Sequence, residues 1–225
     1  MHKWFVYTQF DDASKAAADF LADRIKISIH KNGVCHVVLP GGNTPAVCLS
    51  YLAEKDLPWE KINWYLGDER CYEVGHVDRN DLMLDNNLWS RIGETNIHVI
   101  PAEQGADLAA KLYRETIAAI DSFDIVFLGM GEDGHTASLF PDNEALNDDR
   151  SVVPVFNSPK APDERVSLGV ETLKNAKTRM VLASGISKAS IIKRIRSAEP
   201  LPINSIGDIR WYVDEAAISE DNDRK

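Results

Sequence analysis

Apolar and polar positions along this chain alternate between two patterns. Short, largely apolar runs are separated by longer stretches in which apolar residues recur every three or four positions. The short runs predict strands at Trp4 to Tyr7, Cys35 to Leu39, Ile62 to Leu66, Ile97 to Ile100, Ile125 to Leu128, Val152 to Phe156, Arg179 to Ala183 and Arg210 to Val213. The first helical stretch carries Ala13, Ala17, Leu21, Ile25 and Ile29, with Asp11 or Asp12 as the expected cap and Gly33 as the stop. Ala106 to Ile120 and Lys188 to Arg196 are helical in the same way. Strands alternating with helices of this length call for right-handed βαβ units. The expectation is a doubly wound α/β fold, a largely parallel sheet with helices on both faces, occupying residues 1–225 as a single domain. Residues 142–150 and 157–164 are turn-rich loops, and Ser219 to Lys225 form a polar tail.

In such a sheet ligands bind beyond the carboxyl ends of the strands, so the loops there are where chemistry is expected. The most informative follows Ile125 to Leu128 and reads GMGEDGHTASLFP, residues 129–141. His135 is the side chain suited to proton transfer near neutrality, and Asp133 stands two residues before it. Ser138 is a nucleophile by residue type only, because no G-x-S-x-G elbow surrounds it. The spacing Gly129, Gly131, Gly134 also satisfies a dinucleotide fingerprint. That pattern belongs early in a βαβ unit with an acid closing the next strand. Here it falls past mid-chain, and Asp148 and Asp149 lie in a polar turn, which argues against it.

Three further loops carry candidates. LPGGNTP, residues 39–45, joins a strand to a helix: Gly41 and Gly42 let backbone N–H groups approach a ligand, and Thr44 is the expected cap of a helix whose first residue is Pro45. A helix start with free N–H groups suits phosphate, Asn43 included among the contacts. GDER, residues 67–70, ends another apolar run, and its charges must face a cleft or one another; Asp68 and Arg70 are placed in the site. Residues 158–168 and 184–190 offer Lys160, Arg165 and Lys188, whose donors suit phosphate or carboxylate oxygens.

Composition narrows the class. With 44% hydrophobic and 27% charged residues the chain is globular, and its formal charge of −10 opposes binding to nucleic acid. It also makes any cluster of cations informative, because a local positive pocket must overcome the field of the whole. Cys35, Cys48 and Cys71 are odd in number and form no C-x-x-C pair, which disfavours a disulfide framework and a zinc site. No stretch approaches the apolar length of a membrane span, the first residues carry no signal-peptide pattern, and a cytoplasmic monomer is expected.

Taken together, LPGGNTP, GDER, Asn80 in HVDRN, GMGEDGHTASLFP, KAPDERVSL, SGISKA and WYVDEAA resemble the 6-phosphogluconolactonase family, within the group that includes glucosamine-6-phosphate deaminase/isomerase. The resemblance covers nearly the whole chain and implies a NagB/RpiA-like fold. It implies hydrolysis of 6-phospho-D-glucono-1,5-lactone, with no metal or organic cofactor and a small sugar-phosphate lactone as partner. By carry-over, Gly41, Gly42, Asn43, Thr44, Arg165 and Lys188 hold the phosphate, and His135 serves the lactone with Asp68, Arg70 and Asp133 around it. Either Asp68 or Asp133 orients the imidazole.

Three departures from the family pattern stand out: Pro40 and Asn43 replace serines, Ala161 replaces a proline, and Arg79 precedes Asn80 in place of a serine. The deaminase/isomerase relative places an acid a few residues beyond the histidine, where this chain has Ser138, Leu139 and Phe140. A non-catalytic sugar-phosphate-binding regulator is the alternative from another class.

Overall fold

The computed structural model describes residues 2–219. In chain order its elements are β1 (Lys3–Tyr7), α1 (Phe10–Asn32), β2 (Cys35–Leu39), α2 (Asn43–Leu52), β3 (Ile62–Leu66), β4 (Asp68–Arg70), α3 (Asn80–Asn87), β5 (Asn96–His98), α4 (Ala106–Ile117) and β6 (Ile125–Leu128). They continue with β7 (Val152–Val155), β8 (Arg165–Leu168), α5 (Val170–Lys174), β9 (Thr178–Ala183), α6 (Ala189–Arg196), α7 (Pro202–Ser205), β10 (Arg210–Asp214) and α8 (Glu215–Ile218). Of the expected polar tail, residues 220–225 lie outside the described residues.

Seven strands form a parallel sheet in the order β1-β10-β9-β6-β2-β3-β5. The chain moves outward from β2 to β3 and β5, then returns to β6 and moves the other way to β9 and β10. With right-handed crossovers, that reversal puts α1, α2 and α3 on one face and α4 to α6 on the other. The packing agrees for the first face: α1 lies on α2 and α2 on α3. The central strands β2, β3, β6 and β9 carry Val37, Val38, Trp64, Val126, Phe127, Met180 and Val181, all fully buried, as a sheet covered on both faces requires. On α1, Ala13, Ala17, Leu21 and Ile25 are also fully buried, which confirms the predicted apolar stripe.

Three local expectations change. The run at Val152 does not join the parallel sheet but forms a separate antiparallel sheet, β4-β8-β7, with the Asp68 and Arg165 segments. The strand expected at Ile97 to Ile100 spans Asn96–His98 instead. Helix α1 begins at Phe10, so Asp11 and Asp12 sit in its first turn rather than capping it, and there they favour the positive end of the helix dipole. Gly33 ends the helix as expected, at φ 83° with its N–H on the Ile29 carbonyl. No described helix is long and apolar enough to cross a membrane. All three cysteines are free.

Candidate active site

The point where the sheet's strand order reverses lies between β2 and β6, and the carboxyl ends of these two strands open onto a cleft of about 230 Å³. Gly41, Gly42, Asn43 and Thr44 line it from the loop after β2, and His135 from the loop after β6. The small sheet contributes Asp68, Arg70 and Arg165, while Lys188 arrives from the loop after β9. Asn80 and Lys160 complete the wall. Every site residue expected from the sequence lines this cleft except Asp133, which sits behind His135.

That placement pairs Asp133 with the imidazole. His135 Nδ1 is 2.5 Å from Asp133 Oδ1, and the His135 backbone N–H also donates to that oxygen at 3.2 Å. A neutral imidazole donating from Nδ1 keeps its lone pair on Nε2. Burial holds the imidazole pKa below its usual 6.5, against the Asp133 carboxylate, which pulls the other way. Burial likewise opposes ionisation of Asp133, yet the adjacent His135 holds its carboxyl below the ordinary range. Gly131 makes the pairing possible, because a Cβ there would lie 2.1 Å from both Nδ1 and Cε1 of His135. On the other side the ring meets Phe140, with centroids 4.5 Å apart, and the Arg165 guanidinium lies 5.4 Å from the Phe140 centroid.

Asp68 is held by a different set of partners. Ser138, fully buried, donates from Oγ to Asp68 Oδ2 at 2.6 Å, and Asn80 Nδ2 donates to Asp68 Oδ1 at 3.2 Å and to its carbonyl at 2.8 Å. Ser138 is therefore no exposed nucleophile; its hydroxyl is engaged in orienting a carboxylate. Asn80 is itself positioned by Glu69, which the sequence reading passed over. The fully buried Glu69 carboxylate accepts from the backbone N–H groups of Arg70 and Asn80 at 2.8 Å and of Asp81 at 2.9 Å, so it closes the start of α3. Burial pushes its pKa up to about 7 despite these three donors. The available clue was an acid inside GDER eleven residues before a helix, with nothing to mark the pairing. Arg79 faces away from the cleft and pairs with Asp81 at 2.6 Å and Glu103 at 3.3 Å.

Across the cleft the cations gather. Arg165, nearly buried, donates from Nη2 to the carbonyls of Lys160 and Ala161 at 2.9 and 3.0 Å, and Lys188 Nζ donates to the Met130 carbonyl at 2.9 Å. Burial lowers both pKa values from their usual ranges. Both side chains line a pocket whose rim also carries Arg70 and Lys160. Contrary to expectation, Thr44 lies inside helix α2 and does not cap it. Helix α2 starts at Asn43, two residues early, because Gly42 turns the chain at φ 99° and occupies the cap position; no side chain caps the helix. The first-turn N–H groups thus face the cleft region without a side-chain acceptor. Gly41 is fixed by contact, since a Cβ there would lie 1.8 Å from Asn80 Oδ1. Among the described residues, no three His, Cys, Asp or Glu side chains gather as a metal site.

A cleft at the switch point of a parallel sheet, with a carboxylate-backed histidine facing a helix start and several cations, defines a class of α/β protein that handles small anionic ligands. The family model for glucosamine-6-phosphate isomerases/6-phosphogluconolactonase matches residues 8–212. A 6-phosphogluconolactonase from Synechocystis sp. is 32% identical over 212 residues, covering 86% of this chain and 88% of its own. One from Haemophilus influenzae is 31% identical over 229 residues, covering 94% and 98%. The crystal structure of a 6-phosphogluconolactonase from Thermotoga maritima superposes with a TM-score of 0.88 at 27% identity, over 96% of this chain and all of the other. This chain belongs to the glucosamine-6-phosphate isomerase/6-phosphogluconolactonase family.

Proposed function

We propose that this protein hydrolyses 6-phospho-D-glucono-1,5-lactone to 6-phospho-D-gluconate, the second step of the oxidative pentose phosphate pathway. The observation that carries the reading is His135, buttressed at Nδ1 by Asp133 and lining a cleft that also presents the α2 start, Arg165 and Lys188. That arrangement suits a substrate with a phosphate at one end and a reactive carbonyl at the other. Nε2 of His135 takes a proton from water as the oxygen adds to the lactone carbonyl, and Arg70 faces the oxyanion that forms. Collapse of the tetrahedral adduct breaks the bond to the ring oxygen, which leaves with the proton held by the imidazole. Asp133 keeps the ring in the required tautomer, while Asp68, anchored by Ser138 and Asn80, supplies an acceptor for water or a sugar hydroxyl.

The same family includes deaminases, and the residues after His135 separate the two readings. Ser138, Leu139 and Phe140 occupy the segment where the deaminase/isomerase needs an acid, and all three are buried. The test is hydrolysis of freshly made lactone, coupled to oxidation of the product and corrected for spontaneous opening. No turnover above that background, together with release of ammonia from glucosamine 6-phosphate, would replace the lactonase by the deaminase.

Two further outcomes are expected. Because burial lowers the His135 pKa, kcat/KM should stay level as pH falls through 6.5 and drop only below it, when the imidazole gains its proton and ceases to be a base. An inflection above 6.5 would assign the essential base to another group. Arg165→Met should raise KM by about ten- to a hundredfold, the range for losing a charge-assisted contact, and lower kcat as well, because a loosely held phosphate no longer fixes the carbonyl. A change in kcat alone would remove Arg165 from the phosphate site.

A further inference from the structure

A second concave site lies at the opposite end of the parallel sheet, where the strands begin. It encloses about 300 Å³, and its lining includes Lys3, Arg24, Lys177, Arg179 and Arg210, with Asp208 as the lining acid. In a chain of net charge −10 this is a local reversal of sign. Lys177 is paired with Asp124 at 2.8 Å, but among the described residues no ion pair within 4 Å involves Lys3, Arg24, Arg179 or Arg210. The Arg179 guanidinium donates to the backbone carbonyls of Lys174, Ala176 and Asp208, and the nearby Asp208 carboxylate offsets part of its charge without a direct ion pair.

The backbone makes the crowding obligatory. Lys3 and Arg210 are register partners on adjacent parallel strands, an arrangement in which like charges repel. Arg210 is fixed there, its guanidinium lying over Phe5 at 4.7 Å and over Phe20 at 4.5 Å, and its Nε is buried with no hydrogen-bond partner. A fork of donors held over two aromatic rings, beside a lysine, two further arginines and a cavity of small-molecule size, is suited to an anion with several oxygens.

We propose that this cleft is a second ligand site, distinct from the catalytic one, which binds a small polyanion of the phosphate class carrying at least two negative charges. Strand β9 runs from Thr178 and Arg179 at this site to Leu182 and Ala183 on the catalytic cleft, so the two sites lie roughly 17 Å apart at about 3.3 Å per residue. That separation is too great for one small ligand to span both.

The test uses inorganic pyrophosphate in low-chloride buffer, followed by amide chemical shifts and by calorimetry. Saturable shifts at Arg24, Thr178, Arg179 and Arg210, titrating separately from any at Gly41 to Thr44, are expected. The double variant Lys3→Glu/Arg24→Glu should weaken this binding by about tenfold or more, since two attractive charges become repulsive. Lys26→Glu/Lys31→Glu, exposed on the helix that carries Arg24 and equal in net charge change, should change it by less than about twofold. Lactone hydrolysis at wild-type rate by Lys3→Glu/Arg24→Glu would show that the variant is folded. Shifts confined to the catalytic cleft, or equal weakening by both double variants, would overturn the proposal. A loss of fold in the first variant leaves the wild-type shift map to decide.

Discussion

His135→Ala should lower kcat for 6-phosphogluconolactone by about a hundred- to ten-thousandfold, the range associated with a positioned proton-transfer group, while KM changes little. The division between kcat and KM follows from geometry: the imidazole is paired with Asp133, whereas Arg165, Lys188 and the α2 start lie elsewhere on the cleft and persist in the variant. Asp133→Asn tests the same pair from behind. Without the carboxylate the imidazole loses the negative charge that raises its pKa, and an amide NH2 turned toward Nδ1 would donate and favour the wrong tautomer, so the rate should fall and the acid limb of the profile should move to still lower pH. If Asp133→Asn keeps full activity while Asp68→Asn abolishes it, the orienting carboxylate is Asp68 and the pairing at 2.5 Å is structural. His135→Ala with undiminished turnover would remove the histidine from the chemistry altogether.

The main sheet was legible because its central strands are buried on both faces. Cys35–Leu39 and Ile62–Leu66 are short, largely apolar runs, and the structure places both on the expected residues. The same logic found the strand at Val152 to Phe156 but not its sheet, because an apolar run does not say which sheet it joins. The other strands of that sheet, β4 and β8, carry Asp68, Glu69 and Arg70 on one and Arg165 and Ser167 on the other, and such charged segments look like turns until their pairing is known. Site residues at strand ends could be found one by one, since glycine-rich loops and unpaired charges mark them. What joins them could not be found. Ser138 meets Asp68 across seventy positions, and Glu69 closes a helix it does not precede directly. Both contacts depend on the antiparallel sheet that periodicity did not reveal.

The second large effect comes from a residue with no side chain. Gly131→Ala should reduce kcat/KM by about a hundredfold, although no functional group is removed. The new methyl would lie 2.1 Å from His135 Nδ1 and Cε1 and 2.5 Å from Asp133 Oδ1, far inside van der Waals contact. Either the imidazole swings off its carboxylate or the loop moves, and a shift near 1 Å in a reacting group costs about that factor. The loop has little freedom to absorb the strain, because the Gly131 N–H is bound to the His135 carbonyl at 2.9 Å and the Gly131 carbonyl accepts from Gly134 at 3.1 Å. Gly129→Ala provides the comparison in the same loop: its Cβ would meet nothing nearer than 3.8 Å and should cost less than about tenfold. Measuring both variants by lactone hydrolysis and thermal unfolding separates the cases. Gly131→Ala that unfolds like wild type yet has lost its rate shows that the His135–Asp133 geometry, rather than mere presence of the two groups, sets the activity. Equal rates for the two variants would show that the loop yields and that the close approach at Gly131 has no catalytic consequence.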